Sequence, residues 1–364
     1  MNGGGLSSNN PGKPVVITGG AGFIGSNLAD RLLSEGEQVL ILDNLSRTGA
    51  ERNLHWLKSK YGDNLKWALT DVRDRKALKR DLTGSGLVYH LAAQVAVTTS
   101  VQDPVVDFES NLRGTLNVLE AVRNQEDPPS VIFTSTNKVY GALSDIVLKK
   151  TNTRYEPQNQ EILSSGISES RPLSFHSPYG CSKGAADQYV LDYARIYGIK
   201  TAVFRMSCIY GPRQFGTEDQ GWIAHFLLRS IHGEPIHIYG SGMQVRDILF
   251  IEDLVDALLL AGKRIHQISG EAFNMGGGPQ NTISLIELLN IITELQGRRP
   301  ATAAREWRPG DQRYYASNTG KFRSLTDWTP RVDAYSGVKQ LYLWLLQNHT
   351  GAGRTIMHAQ KVSI

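Results

Sequence analysis

Residues 15–33 read "VVITGGAGFIGSNLADRLL", and this stretch decides the fold. A short β-branched run ends in a glycine-rich turn, and an amphipathic helical pattern follows at once. Gly19, Gly22 and Gly25 fall between the strand and the helix. Glycines there let the chain turn tightly and approach a pyrophosphate closely. The helix N-terminus offers free N–H groups and the positive end of its dipole to the phosphates. A glycine triplet alone is a weak signal, but the strand before it and the helix after it meet the motif's context.

The same alternation continues outward. "PVVIT", "QVLIL", "LKWAL", "LVYHL" and "SVIFTS" are short apolar runs that look like strands buried on both faces. "FIGSNLADRLLSEG" and "NLRGTLNVLEAVRN" carry helical spacing between them. Strand and helix in alternation predict an α/β fold, a Rossmann-like doubly wound parallel sheet. Residues 142–175 are polar and Pro/Ser-rich without a clear period, so they read as a long loop of functional or mobile character. Beyond Gly211 the units shorten to "PIHIYG", "RDILFI" and "AFNMGG", and then a helix, "SLIELLNIITELQG", with Ser284 and Glu287 spaced as a capping box. The reading is a leader at 1–13, a dinucleotide-binding domain at 14–205, mainly a smaller α/β substrate lobe at 206–348, and a tail at 349–364.

Composition agrees with a soluble enzyme. The 364 residues are 40% hydrophobic and 20% charged, with a net charge of +4. No long basic run suggests nucleic acid, and no apolar run is long enough to span a membrane. The opening residues lack the pattern of a signal peptide, so a cytoplasmic location is expected. Cys181 and Cys208 make no disulfide framework and have no zinc-like company, so no metal is expected. Each reads as a buried small side chain in a reducing compartment.

Asp43 closes the second strand about twenty residues past the glycine turn, where an acid hydrogen-bonds an adenosine ribose. A carboxylate there repels a 2′-phosphate and favours NAD over NADP, though Arg47 lies close by. Asp71 and Val72 follow the third strand and suit the adenine edge. Ordinary loop acids at strand ends are the alternative for both carboxylates.

A second constellation lies in "HSPYGCSKGAADQYVLDYARIYG", residues 176–198. Tyr179 and Lys183 are one helical turn apart and share a face. Ser177 suits a cap and Pro178 the first helical position. By itself, such a pair also arises by chance.

"TGGAGFIG", "YGCSK" and "STNKVYG", with "HLAAQ" and the Asn111 of "SNLRGTLN", together resemble the extended short-chain dehydrogenase/reductase family, in particular its nucleotide-sugar epimerases and dehydratases. The resemblance covers the chain from about residue 14 to about residue 348. Within the family, "LDNLSRTGAERNLHWL", "QVAVTTS", "FHSPYGCSKGAADQY" and "DQGW" are similar to the subgroup that epimerises CDP-linked paratose and tyvelose at C2. The resemblance implies catalytic roles for Thr136, Tyr179 and Lys183. It also places Phe23, Ile24, Asn44, Leu91, Ala92, Ala93 and Asn111 against NAD. A tyrosine titrates near 10, so ionising it near neutral pH needs about 4 kcal/mol, which the Lys183 ammonium and a charged nicotinamide supply in this reading.

Dehydrating relatives have an Asp-Glu pair after the Thr; this chain has Asn137 and Lys138. That departure demotes a 4,6-dehydratase and leaves epimerisation, with a C4 epimerase of a UDP-sugar and a non-catalytic NAD-binding sensor as alternatives. "RMSCIYG" puts Cys208 where many UDP-sugar relatives have an asparagine, a position read as packing behind the nicotinamide. Tyr140 reads as a packing residue. For the nucleotide diphosphate the candidates are Arg246 and Arg308, with Asp311 for a ribose hydroxyl; surface ion pairs are the alternative. Gln94, Thr98, Asn137, His176 and Gln220 are the candidate sugar contacts, and His176 equally suits a supporting position. The resemblance further implies polysaccharide-sugar biosynthesis and a homodimer or homotetramer formed through the Tyr179 helix and the "NLRGTLNVLEAVRN" helix.

Overall fold

The computed structural model describes residues 12–308 and 311–349. Most of the leader and nearly all of the tail lie outside the described residues. Seven parallel strands form the main sheet. From one edge they run Glu271–Met275, Thr201–Met206, Ser130–Thr136, Leu87–His90, Val15–Thr18, Val39–Asp43 and Lys66–Leu69. The chain order reverses between Val15–Thr18 and Leu87–His90, which pair Thr18 with His90. A crevice opens at such a reversal, beyond the carboxyl ends of the strands.

The central strands carry apolar runs because helices cover both faces. Leu28, Leu32, Leu54, Leu254 and Leu258 pack into the core on one face. Leu78, Leu82, Val118, Val122 and Val190 pack into that on the other. Burying each such side chain contributes roughly 1.5–3 kcal/mol. "LKWAL" is a correction. Lys66–Leu69 is the edge strand, with Leu69 66% exposed and Trp67 38% exposed under the Lys58 ammonium at 3.9 Å. Its apolar letters overstate its burial, whereas the opposite edge strand Glu271–Met275 is buried beyond its first residue.

The smaller lobe is built on Val245–Phe250, flanked by Cys208–Tyr210, Thr282–Ser284 and Tyr314–Tyr315. Its helix Leu285–Gln296 starts with both bonds of the Ser284/Glu287 capping box. The split at 205/206 is interleaved in space, since Glu271–Met275 crosses back to pair with Thr201–Met206. Residues 142–175, read as a structureless loop, contain the antiparallel pair Leu148–Lys150/Tyr155–Pro157 and the helix Gln160–Ser165. Those strands have three residues each, too few to show a period.

Residues 212–221 of the lobe lie across the first two helices of the main domain. Asn27 donates to the Pro212 carbonyl at 3.1 Å, the Arg213 guanidinium stacks on Trp56 at 3.7 Å, and Arg47 donates to Gln220. A side chain at Gly49 would collide with the Phe215 ring. This strap roofs the crevice next to the glycine turn.

Candidate active site

The crevice is a continuous cleft of about 720 Å³ running from the glycine turn to Arg308 and Asp311. At its first end the backbone shapes a cradle. Gly19 has φ +70°, and a Cβ there would lie 2.8 Å from the Ala92 amide. At Gly25 a Cβ would sit 2.3 Å from the Gly19 carbonyl, so helix and turn meet only because that side chain is absent. The helix Phe23–Ser34 begins at Gly22 with no side-chain cap and no acid in its first turn. Its positive end therefore faces the cleft uncompensated.

Asp43 closes its strand 9% exposed. Its carboxylate accepts from the Ala21 amide at 2.9 Å and the Leu45 amide at 2.8 Å. Burial nevertheless raises its pKa, with these bonds opposing. Asp71 is gripped by Arg73 at 2.7–2.9 Å and by Asn44 at 2.9 Å, which hold its carboxyl well below the usual range. Arg47 turns towards Gln220. Below the sheet reversal, His90 is clamped between Thr18 at 2.7 Å and Thr115 at 3.0 Å, and burial pushes it down to about 3, so it stays neutral.

The middle of the cleft brings Thr136, at the end of its strand, to the face shared by Tyr179 and Lys183. The helix Ser177–Tyr197 carries the last two. Ser177 accepts from the Gly180 amide at 3.2 Å in place of a cap, and the Tyr179 amide donates to Ser100 at 3.1 Å. Deeper in the fold, Asp187 fixes the helix through a two-bond ion pair with buried Arg205 at 2.9 and 3.0 Å. Burial dominates the electrostatics of the pair. Burial pushes the Tyr179 phenol up to about 12, while the Thr136 hydroxyl and Arg47 favour its ionised form. Burial also brings Lys183 down to about 7, against the raising effect of Asp187 and Asp107. Its ammonium donates to the Thr134 carbonyl at 2.6 Å and lies over the Phe133 ring at 4.1 Å. For the phenol, burial outweighs Thr136 and Arg47, so ionising it near neutral pH takes further positive charge beside it.

Every residue expected against the cofactor or substrate lines this cleft except Asn111 and His176. Asn111 is buried one layer behind; it accepts from the Gln94 amide at 2.8 Å and donates to Asp107 at 3.0 Å. His176 is exposed outside the wall, beside Ser174. The Gln94 side chain bonds back to Ala96. Asn137 donates to Gln312 at 3.3 Å. Arg246 is 7% exposed and donates to Asp311 at 2.5 Å, and Arg308 stacks on Tyr239 at 3.9 Å. Tyr140 is off the wall, bonded to Asn274 at 2.7 Å and Arg205 at 3.2 Å. Of the cysteines, Cys208 lines the cleft, whereas Cys181 is exposed because its helix position faces outward.

Sequence reasoning read Lys138 only as a lost acid, and it missed Ser135 and the group Glu218, His237 and Tyr239, where both partners bond the Glu218 carboxylate at 2.7–2.9 Å. Only the nearness of Glu218 to "DQGW" signalled it. The hydroxyls of Thr98 and Ser135 and the side-chain carbonyls of Gln214 and Gln244 are buried on this wall without a hydrogen-bond partner. Buried polar atoms are otherwise almost always satisfied. Together with the glycine cradle and the uncapped helix, they fit a long polar ligand such as a dinucleotide with a second molecule beside it.

Comparison with known proteins agrees. Residues 15–276 match the NAD dependent epimerase/dehydratase family. A CDP-paratose 2-epimerase of Salmonella typhi is 44% identical over 337 residues, 91% of this chain and 98% of that protein. A UDP-glucose 4-epimerase of Thermus thermophilus, solved in complex with NAD, superimposes with a TM-score of 0.76 at 30% identity, covering 93% of this chain and 100% of that one. A dTDP-glucose 4,6-dehydratase of Streptomyces venezuelae, solved with NAD, gives 0.79 at 26% identity over 94% and 98%. The chain belongs to the NAD dependent epimerase/dehydratase family. Among the described residues no helix is long and apolar enough to cross a membrane.

Proposed function

We propose that this member of the NAD dependent epimerase/dehydratase family inverts C2 of a CDP-linked 3,6-dideoxyhexose, interconverting CDP-paratose and CDP-tyvelose. One observation carries the choice of reaction. Thr136 is followed on the cleft wall by Asn137 and Lys138, and the wall's carboxylates lie elsewhere in the chain, on Asp43, Asp71, Glu218, Asp219 and Asp311. Eliminating water from a sugar needs a proton donor and a proton acceptor beside the reacting carbons. Inverting one carbinol needs a single acid–base group that works in both directions. The extended similarity to the Salmonella typhi protein supports the choice of a CDP-sugar and of C2.

The cradle of Gly19, Gly22 and Gly25 would hold the pyrophosphate of NAD, and Asp43 its adenosine ribose. Asp71 and Val72 would meet the adenine, and Lys183 the nicotinamide ribose. NAD, when bound, supplies a hydride acceptor that becomes the donor again within the same turnover. Tyr179 takes the C2 hydroxyl proton as the alcohol is oxidised and returns it after the keto-sugar has turned over. Thr136 holds the same oxygen in line. Lys183 favours the phenolate, and the nicotinamide's positive charge adds to it. The strap at 212–221 keeps water from the intermediate.

Val105, Phe108 and Ile196 are 67%, 45% and 61% exposed on helices of this side of the sheet, which supports a homo-oligomer built through that face. A cytoplasmic location and a place in polysaccharide-sugar synthesis complete the reading. NMR of products from CDP-paratose, CDP-tyvelose, UDP-glucose and UDP-glucuronate tests it. Interconversion of the first two supports it; turnover confined to the UDP-sugars at C4 refutes it.

A further inference from the structure

Lys138 sits on the wall two residues past Thr136, in the short turn Asn137–Tyr140. Its amide donates to the Thr136 hydroxyl at 3.2 Å and its carbonyl accepts from Gly141 at 3.1 Å, so its backbone is fixed. Among the described residues its ammonium has no hydrogen-bond or ion-pair partner. Burial and the nearby Arg246 guanidinium lower its pKa to about 8, while Asp311 and the Cys208 thiol favour its charge. Asp311 is already committed to Arg246, which also donates to the carbonyls of Val245 at 2.7 Å and of Gln312. Two cations therefore share one carboxylate. A part-buried ammonium without a counter-charge costs stability, and a packing role would be better served by an apolar side chain. The surplus charge calls for an anion. A sugar hydroxyl is neutral and leaves it uncompensated, whereas a phosphate oxygen balances it.

We propose that Lys138 is a phosphate-binding residue: with Arg246 it grips the β-phosphate of the nucleotide sugar and forms the fixed point about which the sugar turns. This rests on the nucleotide-sugar reading above. A turning sugar needs one end held while the other changes face, and an ammonium with three rotatable donors can follow the phosphate through that motion.

Calorimetry of the NAD-loaded protein with CDP and with CMP, which lacks the β-phosphate, tests the proposal. Lys138→Met is expected to weaken CDP by about tenfold or more while CMP stays within about twofold. Lys138→Arg is expected to restore most of the difference. Lys138→Gln, which keeps a polar head, repeats the measurement should the methionine variant lose NAD or fold poorly. Unchanged CDP affinity in the Met or Gln variant, or equal losses for CDP and CMP, overturns it. If the unaltered protein binds UDP and ignores CDP, the CDP reading fails by itself. UDP against UMP then tests Lys138 in the same way.

Discussion

Replacing Lys183 by methionine isolates what the lysine contributes to the phenol. Burial, the Thr136 hydroxyl, Asp107 and Arg47 set the Tyr179 phenol at about 12, so under these influences about one molecule in 10⁵ carries the phenolate at pH 7. Bringing it to neutral pH takes roughly 7 kcal/mol at 1.36 kcal/mol per pH unit. A unit charge at 4–5 Å and an effective dielectric of about 20 supplies roughly 3–4 kcal/mol. Two cations are therefore needed. Lys183 is one, being near half-charged at neutral pH and gaining its proton as the phenolate forms, and the nicotinamide of bound NAD is the other. Lys183→Met is expected to lower kcat/KM near pH 7 by about 10²-fold. It should also move the acid limb of the pH profile up by about 2 units, so that activity returns towards high pH. The assay is kcat/KM from pH 6 to roughly 10 on protein of matched NAD content. A uniform loss at every pH, or an unmoved acid limb, would show that Lys183 only holds the ribose and that the charge argument is wrong.

Gly25→Ala forces a Cβ to within 2.3 Å of the Gly19 carbonyl and 2.6 Å of the Gly20 Cα. The variant should purify without NAD and melt at lower temperature, by about 1–3 kcal/mol in stability; NAD retained at the original level contradicts the cradle. Arg205→Met leaves the fully buried Asp187 carboxylate without its ion-pair partner, with the Gln188 amide still donating to it, at a cost of about 3–5 kcal/mol in a urea titration. A loss under about 1 kcal/mol would mean that water reaches this site.

The main sheet was readable because helices cover both faces of its central strands, which makes them continuous apolar runs with glycines or polar residues at their ends. One edge is misread: "LKWAL" has core letters, yet its strand is exposed and Leu69 stands in solvent. The glycine cradle, Thr136, Tyr179 and Lys183 come from short contiguous motifs whose spacing alone fixes their relation. The other wall is assembled from segments far apart in the chain. Arg47 meets Gln220 across 173 residues and Arg246 meets Asp311 across 65, and no local pattern encodes such a meeting. Lys138 was noticed as a missing acid, but that its ammonium faces the cleft unpaired depends on Arg246 having captured Asp311. His176, a candidate sugar contact by sequence, precedes the helix and lies exposed off the wall. Asn111 stands behind Gln94, so its influence on the cleft passes through a backbone amide.

CDP-paratose carrying deuterium at C2, incubated with the protein in ordinary water and followed by NMR, puts the reaction itself on trial. If hydrogen leaves C2 and returns to the same carbon from the other side, CDP-tyvelose will form with its label intact. Product whose C2 position has filled with solvent hydrogen would mean that the carbon loses a proton, and oxidation with return would be excluded.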